Sequence, residues 1–270
     1  MGDFGKKIRL NRILNAPGRG TLVVAFDHAL LLGPIPGTED PGGQIARFIS
    51  AGVNAVLLNL GLIQRYIHCF APANTPGIIA RIDWTTVWNS LSQGDHGALR
   101  SCMLATPEEA LRHGADAVLT YLVVGTGDAD FEAKEIARNA QVARECERLG
   151  IPLIVETLAR GRGVSDPGDP KWLALHTRIA AELGADLIKT DYAGNAGKMR
   201  GIVANCPVPI LVLGGSRNET ALEVVQGCMK AGAAGVFFGR NVFQSDDMEG
   251  FLGRARAILN DYQDAVVARN

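Results

Sequence analysis

The chain has 270 residues, 47% hydrophobic and 20% charged, with a formal net charge of −1. A balance this even gives no electrostatic reason to bind a polyanion, which sets nucleic acid aside as a partner. No apolar stretch approaches the ~20 residues that span a bilayer, and Met1–Leu14 is too charged for a secretory signal, so we expect a cytoplasmic protein with no membrane partner.

After that charged start, short β-branched runs recur, each followed by a helical segment. Thr21–Phe26 reads as the first strand and ends in Asp27-His28-Ala29, Ala55–Asn59 as the second and Gly77–Ile82 as the third. Asp83–Gly97 comes next, irregular and holding two of the three tryptophans. A loop of that length in a compact domain is a lid, a binding loop or a subunit contact. Thr106-Pro107-Glu108-Glu109 then places a cap, a first-turn proline and two acids ahead of a helix that Gly114 ends.

Ala117–Leu122 is the fourth strand, followed by a helix over Phe131–Leu149 that stops at Gly150. Leu153–Thr157, Asp186–Thr190, Ile210–Leu213 and Ala234–Phe238 complete the strands. Helices over Lys171–Leu183, Glu219–Ala231 and Met248–Val267 accompany them. His-Gly-Ala-Asp, Leu-Gly-Ala-Asp and Ala-Gly-Ala-Ala (113–116, 183–186 and 231–234) repeat the same passage from helix to strand, with glycine as the left-handed cap.

Eight strands, apolar almost throughout, are the number that closes a parallel barrel covered on both faces. We therefore expect an α/β protein, a single (β/α)8 (TIM) barrel domain over residues 1–270. A doubly wound open sheet would usually carry a glycine-rich fingerprint after its first strand, and Phe26-Asp27-His28-Ala29 carries none. Cys69, Cys102, Cys146, Cys206 and Cys228 are scattered and never form a CxxC pair, so neither a disulfide framework nor a zinc site is expected. The sequence points to no metal and no cofactor.

Reactive groups of such barrels lie at the C-terminal ends of the strands. Those ends read Asp27 and His28, Asn59, Asp83, Tyr121, Glu156, Lys189, Gly214-Gly215-Ser216 and Gly239-Arg240. Part of this list follows simply from strands ending where loops begin. Lys189 is the hardest to explain that way, because it follows Leu187-Ile188 inside an apolar run. Desolvation and neighbouring cations favour the neutral form of an amine, and a neutral amine can add to a ketone and form an iminium. The last two strand ends are where these barrels often bind phosphate through backbone N–H groups, so Gly214, Gly215, Ser216, Gly239 and Arg240 are the candidate phosphate grip.

Together these residues resemble the archaeal-type class I aldolases: fructose-bisphosphate aldolases, aminosugar-forming synthases and a thiolase acting on a phosphorylated autoinducer. The resemblance rests on Ala25-Phe26-Asp27-His28, on Gly184-Ala185-Asp186-Leu187-Ile188-Lys189-Thr190, on Leu213-Gly214-Gly215-Ser216, and on the stretch from Ala231-Gly232-Ala233-Ala234-Gly235 to Gly239-Arg240-Asn241-Val242-Phe243-Gln244. It implies a Schiff base on Lys189 assisted by Asp27, and phosphate at the last two loops. It further implies a homo-oligomer and a phosphorylated small-molecule substrate. The family's two catalytic tyrosine positions hold Val123 and Leu158 here, and the first strand ends with Ala29 in place of the usual glycine.

The proton must then be moved by another group. Side chains two apart on a strand share a face, so Tyr121 points the way Val123 does and Glu156 the way Leu158 does, each about 7 Å lower from the ~3.3 Å rise per residue. His28 is the third candidate, because an unperturbed imidazole titrates near working pH. The plainer readings are that Tyr121 fills the barrel and Glu156 pairs with an arginine. Three functions fit: a Schiff-base aldolase, thiolase-like acyl transfer from a phosphorylated diketone to coenzyme A, and a phosphosugar-binding barrel without catalysis.

Overall fold

The computed structural model describes residues 4–14, 19–88, 99–214 and 221–267, the side chains of 262–267 excepted. Eight parallel strands close a barrel: β1 (Thr21–Ala25), β2 (Ala55–Asn59), β3 (Gly77–Arg81), β6 (Ala117–Val124), β7 (Leu153–Ala159), β8 (Leu187–Thr190), β9 (Ile210–Leu213) and β10 (Gly235–Phe238), which returns to β1. These are the eight expected strands, with ends shifted by a residue or two. The largest shift is at β6 and β7, which each run two residues further than expected.

The region expected to be irregular is partly ordered. β4 (Asp83–Thr85) pairs antiparallel with β5 (Ser101–Met103), a two-stranded ribbon above the end of β3. Residues 89–98 lie outside the described residues.

Strand parity divides the core into two regions. Val23, Ala25, Leu57, Ile79, Leu119, Ile154, Leu187, Leu211 and Phe237 fill the barrel interior, with Ile13 of the first helix (Phe4–Ile13) as part of that cluster. Residues of the opposite parity, such as Val24, Val56, Ile78, Val118, Val155, Ile188 and Phe238, face the helical shell. The helices are held at their starts by the expected chemistry. Thr106 and Glu109 form a reciprocal capping box, and Asp128, Asp169 and Asn195 each accept a backbone N–H at the head of a helix. Among the described residues no helix is long and apolar enough to cross a membrane.

The burial of one shell residue leads us to expect an acid response. His176, on the helix Pro170–Glu182, is fully buried, and neither ring nitrogen has a hydrogen-bond partner among the described residues. Burial, reinforced by the Arg160 charge, lowers its pKa from 6.5 to about 3. The unfolded chain therefore binds a proton here below about pH 6.5 that the folded chain refuses until about pH 3. Stability is complete above that window and falls as pH drops through it, at about 1.4 kcal/mol per pH unit. In urea midpoints taken between pH 7 and 5, His176→Leu is expected to remove a slope that grows to about one proton by pH 5. Equal slopes in both proteins would contradict the account.

Candidate active site

The interior parity of each strand, continued to its C-terminal end, delivers the polar residues. Asp27 follows Val23 and Ala25, Arg81 and Asp83 follow Ile79, Tyr121 follows Leu119, Glu156 follows Ile154, and Lys189 follows Leu187. The register of β6, β7 and β8 aligns Tyr121 with Glu156 and Glu156 with Lys189, so three of the candidates stand in one row. Lys189 is almost wholly buried, its side chain 4% exposed. Its Nζ lies 3.0 Å from Glu156 Oε1 and 4.5 Å from the centre of the Phe237 ring.

Arg81 organises this row, and it was absent from the expected site. Its guanidinium, 1% exposed, donates from Nε to Asp27 Oδ2 at 2.9 Å and from Nη2 to Glu156 Oε2, and reaches Asp83 Oδ1 at 3.5 Å. The same group lies over the Tyr121 ring, 3.7 Å from its centre. Asp83 in turn accepts the Tyr121 backbone N–H at 2.7 Å and a guanidinium N–H of Arg138. Burial works to raise the pKa of Asp27, but the charges of Arg81, His28 and Lys189 outweigh it and bring the carboxyl down to about 2. Strand parity would have found Arg81, since a charge at interior parity in Gly77-Ile78-Ile79-Ala80-Arg81 must face the barrel axis.

The other two candidates for proton transfer are differently placed. The Tyr121 hydroxyl accepts the Trp88 indole N–H at 3.0 Å, and burial pushes the phenol well above its usual range, which suits it to donate rather than to act as a base. His28 does not titrate near neutrality as its ordinary pKa suggests: burial, with help from the Lys189 and Arg240 charges, lowers it to about 4 despite the nearby Asp27 carboxylate. Its Nδ1 stands 3.5 Å from Asp27 Oδ1 without a hydrogen bond, and the ring packs edge-on against Phe243 at 5.1 Å. At working pH it is a neutral imidazole.

At the last two strand ends the glycines have packing reasons. A Cβ on Gly239 would collide with the His28 ring, and one on Gly214 with the Phe238 ring. Asn241 Nδ2 donates to the Gly214 carbonyl at 2.8 Å and ties the two ends together. Arg240 is partly buried and makes no ion pair among the described residues. Gly215 and Ser216 lie outside the described residues.

Asp27, His28, Tyr121, Glu156, Lys189, Gly214, Gly239 and Arg240 line one cavity of about 500 Å³ together with apolar side chains. Among the described residues no set of three His, Cys, Asp or Glu is arranged to hold a metal ion. A buried amine in reach of a carboxylate, with a phenol in the same row, can add to a carbonyl and move protons as it does so.

Comparison with known proteins agrees with that capacity. The family model for DeoC/LacD family aldolases matches residues 21–245. A 2-amino-3,7-dideoxy-D-threo-hept-6-ulosonate synthase of Halobacterium salinarum is 34% identical over 99% of this chain and 96% of its own. A 3-hydroxy-5-phosphonooxypentane-2,4-dione thiolase of Yersinia pseudotuberculosis is 32% identical over 98% of this chain and 86% of its own. An archaeal fructose-1,6-bisphosphate aldolase, solved with its catalytic lysine covalently bound to the carbinolamine intermediate, superposes with a TM-score of 0.81 at 29% identity. That superposition covers 94% of this chain and 98% of the other.

Proposed function

We propose that this chain, which belongs to the DeoC/LacD aldolase family, makes or breaks a carbon–carbon bond in a phosphorylated ketose or keto acid through a Schiff base on Lys189. The observation that carries the reading is the placement of Lys189 Nζ in the cavity, 3.0 Å from the Glu156 carboxylate. The amine adds to the substrate ketone. Glu156 takes the ammonium proton and returns it to the carbinolamine hydroxyl, which leaves as water. In cleavage, the electron pair of the breaking bond flows into the iminium, and the hydroxyl beside that bond gives its proton to Glu156. The resulting enamine is reprotonated on carbon, and water frees the ketone from Lys189.

Asp27, clamped by Arg81 and depressed to about 2, stays a carboxylate throughout and offsets the cation formed at Lys189. Tyr121 keeps its O–H for the oxygen of the departing aldehyde. His28, neutral over Gly239, positions rather than titrates.

The phosphate grip is assigned to Arg240 with the backbone at Gly214 and Gly239, and Gly215 and Ser216 are proposed for the same loops. The phosphonooxy group in the name of the Yersinia relative supports a phosphorylated substrate. Arg240→Ala is expected to raise KM by about 10- to 100-fold, the scale of one charge-assisted hydrogen bond, with kcat nearly unchanged. Steady-state kinetics against phosphorylated and dephosphorylated substrates check this, and equal use of both would remove the assignment. The same relative favours a second reading, acyl transfer to coenzyme A from the same lysine, which strict dependence of turnover on coenzyme A would establish. Five unpaired cysteines suit a reducing cytoplasm, and exposed Phe4, Ile8, Leu104 and Leu175 suit a subunit contact in a homo-oligomer. One barrel domain is proposed to carry the whole activity.

A further inference from the structure

We infer that the aldehyde fragment of the substrate is apolar, carrying an alkyl or aryl chain in place of the hydroxyls or second phosphate of a sugar. This rests on the aldolase reading of Lys189 and narrows its substrate class.

The order of strands sets the direction. The phosphate grip lies on β9 and β10, Lys189 stands on the adjacent β8, and β7 and β6 follow on its other side. A substrate held by its phosphate at the first pair, with its carbonyl at Lys189, sends its remaining carbons across the mouth toward the ends of β6 and β7.

What waits there is greasy. Val123 and Leu158 face each other in register at those ends, both fully buried. With Leu31, Val87, Tyr121 and Phe131 they form a separate apolar cluster, against which Trp84, Trp88, Leu99 and Leu213 pack. Val123 and Leu158 do not themselves line the cavity; of that cluster Leu31, Trp88, Tyr121 and Leu213 do, and Leu32 and Pro167 add further apolar lining.

The polar groups on the same walls are already engaged. Arg160 gives one N–H to the Ala159 carbonyl at 2.8 Å and pairs with Asp191 at 3.1 Å, so its charge is answered before a ligand arrives. Glu156 serves Arg81 and Lys189. The Tyr121 oxygen accepts from Trp88, which leaves only its own O–H, enough for the aldehyde oxygen and nothing further. Among the described residues, hydroxyls further along the fragment would lose their water and gain no partner, and a second phosphate would meet no uncommitted cation on this wall.

In the synthetic direction the chemistry balances without another reactant. The enamine forms as Glu156 takes a proton from the carbon beside the iminium. The enamine carbon attacks the aldehyde carbon, and the carbonyl π pair moves to oxygen, which takes that proton back from Glu156 while the Tyr121 O–H hydrogen-bonds to it. Water then releases the ketone and restores the amine.

The test uses the full chain with dihydroxyacetone phosphate and hydroxyacetone phosphate as donors. Isovaleraldehyde and benzaldehyde are compared with glyceraldehyde 3-phosphate and erythrose as acceptors. The apolar aldehydes are expected to lead in kcat/KM by on the order of 100-fold, the scale on which an apolar pocket discriminates. Leu32→Asn, at a partly exposed position where folding tolerates the change, is expected to shrink that lead several-fold. Borohydride trapping of each donor alone, read by intact mass, separates the two claims. If no donor labels Lys189, the aldolase reading fails and takes this inference with it. If a donor labels Lys189 but the hydroxylated or phosphorylated acceptors react as well as the apolar ones, or Leu32→Asn leaves the preference unmoved, the apolar assignment alone is overturned.

Discussion

Lys189→Ala is expected to lose all detectable turnover, a fall of up to the order of 10⁶-fold, the scale seen when a covalent nucleophile is deleted. The reason is local. No other amine stands in the row formed by Tyr121, Glu156 and Lys189, and Arg81, the nearest cation, is tied to three carboxylates and stays protonated at any working pH. With a competent phosphorylated ketone, borohydride should add the reduced substrate's mass at Lys189 alone in the parent protein and nowhere in the variant. The fold should survive, because Glu156 keeps its Arg81 partner when the lysine is removed. A folded Lys189→Ala protein that turns over at the parent rate would remove the central claim.

The barrel was legible because its signals are local and redundant. Eight apolar runs of strand length, each followed by a helical segment, admit few topologies, and strand ends were misplaced by two residues at most. Lys189, Asp27 and Glu156 were legible for a related reason: charges at the ends of greasy strands at interior parity have nowhere to go but the mouth of the barrel.

The failures have a common cause as well. Arg81 was missed because the third strand was expected to run to Ile82, and Asp83, the next polar residue, stood for that end, although Arg81 two residues earlier shares its parity. That His28 would be neutral was not legible, because its pKa depends on burial and on Lys189 and Arg240, brought near only by closure of the barrel. The ribbon of β4 with β5 pairs residues more than fifteen apart in sequence across a segment without periodicity, and such pairing leaves no local trace.

Glu156→Gln is expected to lower kcat by about a hundredfold, within the 10²–10⁴ that a general acid–base group contributes. Glu156 pairs with Arg81 through one oxygen, as the plain reading expects, and its other oxygen stands beside Lys189, where the proposed role needs it. That double pairing aims one carboxyl oxygen at the amine, in reach of the proton that moves when the ketone is attacked. Glutamine keeps the shape and can still accept from Arg81, which also retains Asp27 and Asp83, so urea midpoints should move little. What glutamine cannot do is take and return a proton, so iminium trapping at Lys189 should still be reached, more slowly, while turnover falls. Tyr121→Phe and His28→Asn belong in the same experiment. Tyr121→Phe should cost less, since the phenol only supplies a hydrogen bond to the aldehyde oxygen. His28→Asn should act on KM through its packing over Gly239. Were Glu156→Gln nearly silent and Tyr121→Phe the damaging change, the proton would travel through the phenol, and the row of β6, β7 and β8 would need its roles reassigned. Were all three mild, the substrate phosphate or solvent would be moving the proton, and acyl transfer to coenzyme A would become the better account of Lys189.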